Sequence, residues 1–125
     1  MMLNLLIRYK FSILVAIVIA LLSLIPGNSM PDSSLFSIPA LDKIGHFSMY
    51  AFLGFVALLE SHCKPSCFRF HTLLLLCIFS LSIIIEVLQA TVVSTRSAEW
   101  LDLLANASGL LSGYLAFRVL RMVRS

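Results

Sequence analysis

The sequence predicts an all-α polytopic membrane protein, a four-transmembrane-helix bundle with N-in/C-in topology. Three observations carry that prediction. Hydrophobic residues make up 60% of the chain and charged residues 12%, against roughly 45–50% and roughly 25% in a soluble domain. Mean hydropathy is +1.02. The apolar residues gather in four long runs. So little polar surface could not cover a soluble globule of 13.9 kDa. This excludes a disordered tail, a cytosolic enzyme domain and an ordinary nucleic-acid-binding domain. The net charge of +3 and the pI of 9.0 would suit nucleic acid. The basic residues, however, sit at the edges of the apolar runs, which is membrane-protein placement. No nucleic-acid partner is expected. The 125 residues are taken as a single transmembrane domain, 1–125.

The first helix is placed at about 5–25. Its uncharged core, Phe11–Ile25, is short for a bilayer of roughly 30 Å. Leu5 to Tyr9 can extend it, with Arg8 and Lys10 snorkelling to the interface. A secretory signal peptide has the same basic start and apolar stretch. No A-x-A-like site follows Pro26-Gly27, so a retained helix is expected. The second helix is placed at about 44–59, with Asp42 and Lys43 at its start. The third, about 72–93, carries Glu86 and Gln89 inside it. The fourth, about 98–119, carries Asp102 and Asn106. A tight turn at Ser94–Ser97 joins the last two. Windows this apolar and this long are helices, because in lipid a helix satisfies its own backbone groups.

Orientation follows from the cations. With the N-terminus in the cytoplasm, seven fall on the inner side (Arg8, Lys10, Lys64, Arg69, Arg118, Arg121 and Arg124) and two, Lys43 and Arg96, on the outer side. The expected location is therefore the inner (cytoplasmic) membrane, multi-pass. Nearly every ionisable group outside the cytoplasmic edges then falls in one outer layer. Asp102, Asn106, Gly109 and Gly113 share one helical face, as do Ser82, Glu86, Gln89 and Val93. Asp42, His46, Met49 and Leu53 share a third. A carboxylate facing lipid is costly, so the three stripes are expected to face one another as a polar cleft open to the outside.

Asp42-Lys43-x-x-His46, then Glu86-x-x-Gln89, then Arg96 followed by Asp102-x-x-x-Asn106-x-x-Gly109, resemble the VanZ-like family. The ordered set covers about Asp42 to Gly113, with a leading helix in the expected place. The family takes its name from a protein associated with low-level resistance to the glycopeptide teicoplanin. The resemblance implies a small membrane protein with a cell-envelope role linked to antibiotic resistance. It implies no particular reaction.

Glu86 reads as a buried carboxyl able to act as acid or base, or to bind a cation; its bland counterpart is an interhelical bond that fixes packing. Gln89 would satisfy Glu86 or a neighbouring helix. His46 could shuttle a proton or pair with a carboxylate. Asp42 and Asp102 lie near helix starts, where a carboxylate also suits the dipole. For Asp102, placed a full turn inside its helix, capping is the weaker account. Lys43 and Arg96 could pair with these acids or receive the phosphate or carboxylate of a ligand. Asn106 is open to either use, whereas Gly109 and Gly113 read as close packing.

The acid/base candidates are thus Glu86, His46 and Asp102. The ligand-binding set adds Asp42, Lys43, Gln89, Arg96 and Asn106. No metal and no cofactor is expected: neither His46/Glu86/Asp102 nor the His62-Cys63-x-x-x-Cys67-x-x-x-His71 loop has firm zinc spacing. In a reducing cytoplasm Cys63 and Cys67 are expected as free thiols. Partners are membrane lipids, a lipid-linked envelope precursor or another membrane protein. The functions left open are ligand binding in the outer cleft, intramembrane catalysis there, an ion-coupled carrier, and a helper that packs on a larger membrane protein.

Overall fold

The computed structural model describes residues 1–23, 39–61, 67–92 and 100–124. They form five helices: α1 (Met2–Arg8), α2 (Lys10–Ser23), α3 (Pro39–Glu60), α4 (Phe68–Val92) and α5 (Trp100–Arg124). Among the described residues, α4 and α5 are long and apolar enough to cross a membrane, and the bent α1–α2 pair makes a third span if counted as one. The chain is thus all-helical, with two or three helices suited to lipid.

The first expected helix is two helices, set at 77° to each other. Tyr9 sits at the break with φ −105° and ψ 29°, off the helical values. Backbone bonds continue on both sides: Tyr9 N–H donates to the Leu5 carbonyl at 3.0 Å and Ile13 N–H to the Tyr9 carbonyl at 2.8 Å. Composition gave no sign of the break, because its cause lies elsewhere in the chain. Glu60, at the far end of α3, accepts from Phe11 N–H at 3.2 Å, Ser12 N–H at 2.6 Å and the Ser12 hydroxyl at 2.7 Å. The first amides of any helix lack intrahelical partners. A carboxylate placed there satisfies them and suits the positive end of the dipole. The cap fixes where α2 begins.

Helices α2 to α5 alternate in direction. Ser12 meets Glu60, whereas Ile19, further along α2, joins a core cluster with Tyr50 and Leu53 of α3. These two are therefore antiparallel. His71 stacks edge-on against Phe117 at 5.2 Å, while Leu75 reaches the Gly54 site beside Leu110. Thus α4 and α5 are antiparallel too. Helices α3 and α5 run parallel: Gly109 lies on Phe47 and Gly113, one turn on, lies on Ala51.

The α3–α5 contact is the tightest in the molecule. A Cβ at Gly113 would stand 2.5 Å from the Ala51 carbonyl oxygen, and one at Gly109 would collide with that of Phe47. The backbones touch because neither glycine has a side chain. The buried face of α5 is Asp102, Asn106, Gly109, Leu110, Gly113 and Phe117, as its spacing predicts.

Polarity is inverted relative to a soluble domain. His46, Ser82, Glu86, Gln89, Asp102 and Asn106 are buried, while Leu73, Ile84, Leu111 and Val119 are more than half exposed. An apolar outside around a polar inside marks a membrane protein.

Gly113→Leu should lower the melting point in detergent by an amount equal to about 1–3 kcal/mol, because α3 and α5 must separate. Gly45→Ala, with nothing within 4 Å of the added carbon, should stay within about 0.5 kcal/mol of wild type. Equal effects of the two would remove the close-contact account. Glu60→Ala should cost about 1–2 kcal/mol, as the loss of a cap does. Hydrogen exchange should then quicken at the Phe11 and Ser12 amides and stay unchanged along α5.

Candidate functional site

The parallel register of α3 and α5 decides which polar groups meet. Lys43, His46 and Tyr50 follow at i, i+3 and i+7 on α3, one face. Asp102 and Asn106 follow at i and i+4 on α5. Lys43 Nζ donates to Asp102 Oδ1 at 2.7 Å. His46 Nδ1 donates to Asn106 Oδ1 at 3.2 Å. Since that amide oxygen can only accept, the bond places a proton on Nδ1. His46 Nε2 then faces Asp102 Oδ2 at 4.0 Å. The four side chains form one chain across the interface: ammonium, carboxylate, imidazole, amide.

Exposure is graded along that chain. The Lys43 side chain is 24% exposed and Asp102 8%, while Asn106 is 1% exposed. The cluster therefore opens at Lys43 and closes at Asn106. In low dielectric, charge-assisted bonds of this length are strong, and a group left without its partner is costly.

The third stripe arrives from α4. Glu86, 3% exposed, lies within electrostatic reach of the Tyr50 hydroxyl. Tyr50 is one turn beyond His46 on α3, on the face that meets the α5 pair. Gln89, one turn from Glu86, donates from Nε2 to the backbone carbonyl of Ser23 at the end of α2. It serves a neighbouring helix, one of the two uses expected of it.

Some expectations need correction. Helix α3 begins at Pro39, a position where proline suits a helix start. Asp42 is consequently inside the first turns and is not the residue before them. Asp102 falls in the first turn of α5, so the helix dipole favours its carboxylate alongside Lys43. Helix α4 starts at Phe68, which takes His71 out of the loop. His71 is fully buried, with the rings of Phe70, Tyr114 and Phe117 around it at 6.4, 6.2 and 5.2 Å. Cys67 is disulfide-bonded and is not a free thiol. The earlier reading rested on an assigned compartment, whereas a disulfide depends on a second sulfur within bonding reach. Cys77 is free. Arg96, Glu99, Val93, His62, Cys63, the Pro26-Gly27 stop, the Ser94–Ser97 turn and the side chain of Asp42 lie outside the described residues.

Sequence reasoning missed two residues. Tyr50 was legible as the position one turn beyond His46, but a tyrosine within an apolar run gives no signal of its own. Glu60 marked a helix end, and nothing local showed that it would cap α2. Among the described residues no three His, Cys, Asp or Glu side chains converge as a metal site requires.

The family model VanZ/LLP1 matches residues 2–121. No curated protein matches the chain, and no solved structure does. The match takes in nearly every residue, including the polar positions on α3, α4 and α5 that carried the sequence resemblance, and the protein belongs to the VanZ/LLP1 family.

Proposed function

We propose that this protein crosses the inner (cytoplasmic) membrane four times, with both ends inside, and binds a lipid-linked or headgroup-bearing envelope ligand in an outward-facing polar cleft. The single observation that carries the reading is the Lys43–Asp102 pair beside His46 and Asn106. Beyond holding the register of α3 and α5, an ammonium, a carboxylate, an imidazole and an amide at one point offer charge and hydrogen-bond partners to a ligand. Each costs free energy in lipid, and such residues mark functional sites by default. Lys43, the most open of the four, would receive a phosphate or carboxylate of the ligand, and Asp102 would release it. Asp42 and Arg96, assigned to the outer layer by sequence order alone, complete the proposed ligand-binding set with Glu86 and Gln89. The alternation of α2 to α5 supports four crossings, and the seven-to-two distribution of cations supports N-in/C-in. Helix α1, none of whose residues is buried, would lie along the inner interface with Arg8 at the headgroups. Family membership and a ligand of this kind fit a cell-envelope role that alters sensitivity to glycopeptides such as teicoplanin.

A second reading is intramembrane catalysis on the same ligand. His46 favours it: with Nδ1 bonded to Asn106, Nε2 is the ring nitrogen that faces the Asp102 carboxylate, where a proton would be exchanged. Glu86 would be the other acid or base. A third, an accessory subunit packed on a larger membrane protein, uses the charges only for cohesion.

Glu86→Gln and Asp102→Asn, in a strain lacking the protein, discriminate these. Protein level and glycopeptide susceptibility are scored together. Normal level with a lost phenotype is expected. Full function in both variants removes the ligand-cleft and catalytic readings and leaves the packing one. Lys43→Gln should weaken the phenotype at normal level if ligand charge is read there.

A further inference from the structure

A second feature lies on the opposite flank of α5, away from the polar cluster. Helices α4 and α5 diverge there to leave an open groove of about 330 Å³, lined by Phe68, Leu76 and Phe79 on one wall and Ala107, Leu111 and Tyr114 on the other. Its two hydroxyls are already engaged. Thr72 donates to the Phe68 carbonyl at 2.9 Å, and the Tyr114 hydroxyl accepts from Arg118 Nη1 at 3.2 Å. The groove therefore offers hydrocarbon and no unmet polar group.

Its ends differ. The α4 wall begins beside Arg69, which is exposed and lies on the Thr72/Leu76 face by helical spacing. The α5 wall runs Ala107, Leu111, Tyr114 and continues one turn on to Arg118. Both walls thus finish in an arginine at the same end of the bundle, since α4 and α5 are antiparallel. At the other end, Phe79 and Ala107, the lining of the groove holds no cation. From Phe68 to Phe79 the groove extends about 17 Å along α4, close to half of a hydrocarbon core of roughly 30 Å.

We infer that this groove holds one acyl chain of an anionic glycerophospholipid, from the leaflet that meets Arg69 and Arg118, with its phosphate at those two guanidinium groups. The length is that of one leaflet and not of a span. A guanidinium pair matches a phosphate. Basic residues just beyond an apolar surface select anionic lipid at the membrane face. A helix of a second copy would need a groove running the whole depth, and would meet like charge at the arginines. The site does not depend on the polar cleft and shares no residue with it.

The full chain in nanodiscs of equal phosphatidylglycerol and phosphatidylcholine, released and weighed by native mass spectrometry, tests this. Wild type should keep phosphatidylglycerol over phosphatidylcholine by about tenfold. Arg69→Gln with Arg118→Gln should keep a lipid and lose the preference. Ala107→Phe, at an exposed position, should lose the retained lipid of either kind with an unchanged melting point. If it does not fold, Leu111→Trp fills the same groove. Equal retention of both lipids by wild type would overturn the proposal, as would undiminished retention in the filled groove. A dimer mass abolished by Ala107→Phe would overturn it too, assigning the groove to a second copy.

Discussion

The backbone contact between α3 and α5 is the constraint on which the rest depends. Gly109 and Gly113 let the two helices touch at Phe47 and Ala51. Contact at two successive turns fixes both the parallel direction and the register. With the register fixed, Lys43 falls opposite Asp102 and His46 opposite Asn106. A shift of one turn along either helix would leave an ammonium and a carboxylate in apolar surroundings without partners. Small residues and polar pairs thus specify one arrangement together: the glycines permit the approach, and the polar groups penalise the alternatives.

The same logic explains why buried polar residues cluster by depth. Lys43, His46, Asp102, Asn106 and Gln89 gather toward one end of the bundle. Ser12 and Glu60 gather at the other. Between them Ile19, Tyr50, Leu53, Ala57, Ile78 and Leu110 pack together, with Ser82 and Glu86 buried on the same face of α4 as Ile78. Polar groups near an interface are less costly than polar groups at mid-membrane.

The two ends also treat charge differently. At the cluster end the cation Lys43 is paired inward, across the α3–α5 seam. At the opposite end Arg118 and Arg121 lie over the rings of Tyr114 and Phe117, at 5.9 and 5.4 Å from their centroids. There the guanidinium groups cover aromatic surface at the rim and stay near the headgroups. One end pairs its charge between helices, and the other lays it over aromatic rings.

The sequence by itself determined the environment and most of the elements. Apolar runs too long for strands make helices wherever water is absent, and local composition suffices to say so. It also determined the polar face of α5, since helical spacing puts Asp102, Asn106, Gly109 and Gly113 in line whatever surrounds them. Lys43, His46 and Asp102 stood out in the sequence because charge inside an apolar run is unfavourable without a partner, and the structure brings them together. Only the tertiary structure decided who meets whom. Asp42, Glu99 and Asp102 were all open to Lys43 by sequence; the helix register gave it Asp102. Tyr50 looked like one more apolar-run residue until the fold buried it within electrostatic reach of Glu86. Helix α2 could have continued from Leu5 until Glu60, 48 positions from Ser12, took its first amides. Helical period is a local property, written every three or four residues. Pairing across helices depends on distances that exist only once the chain has folded.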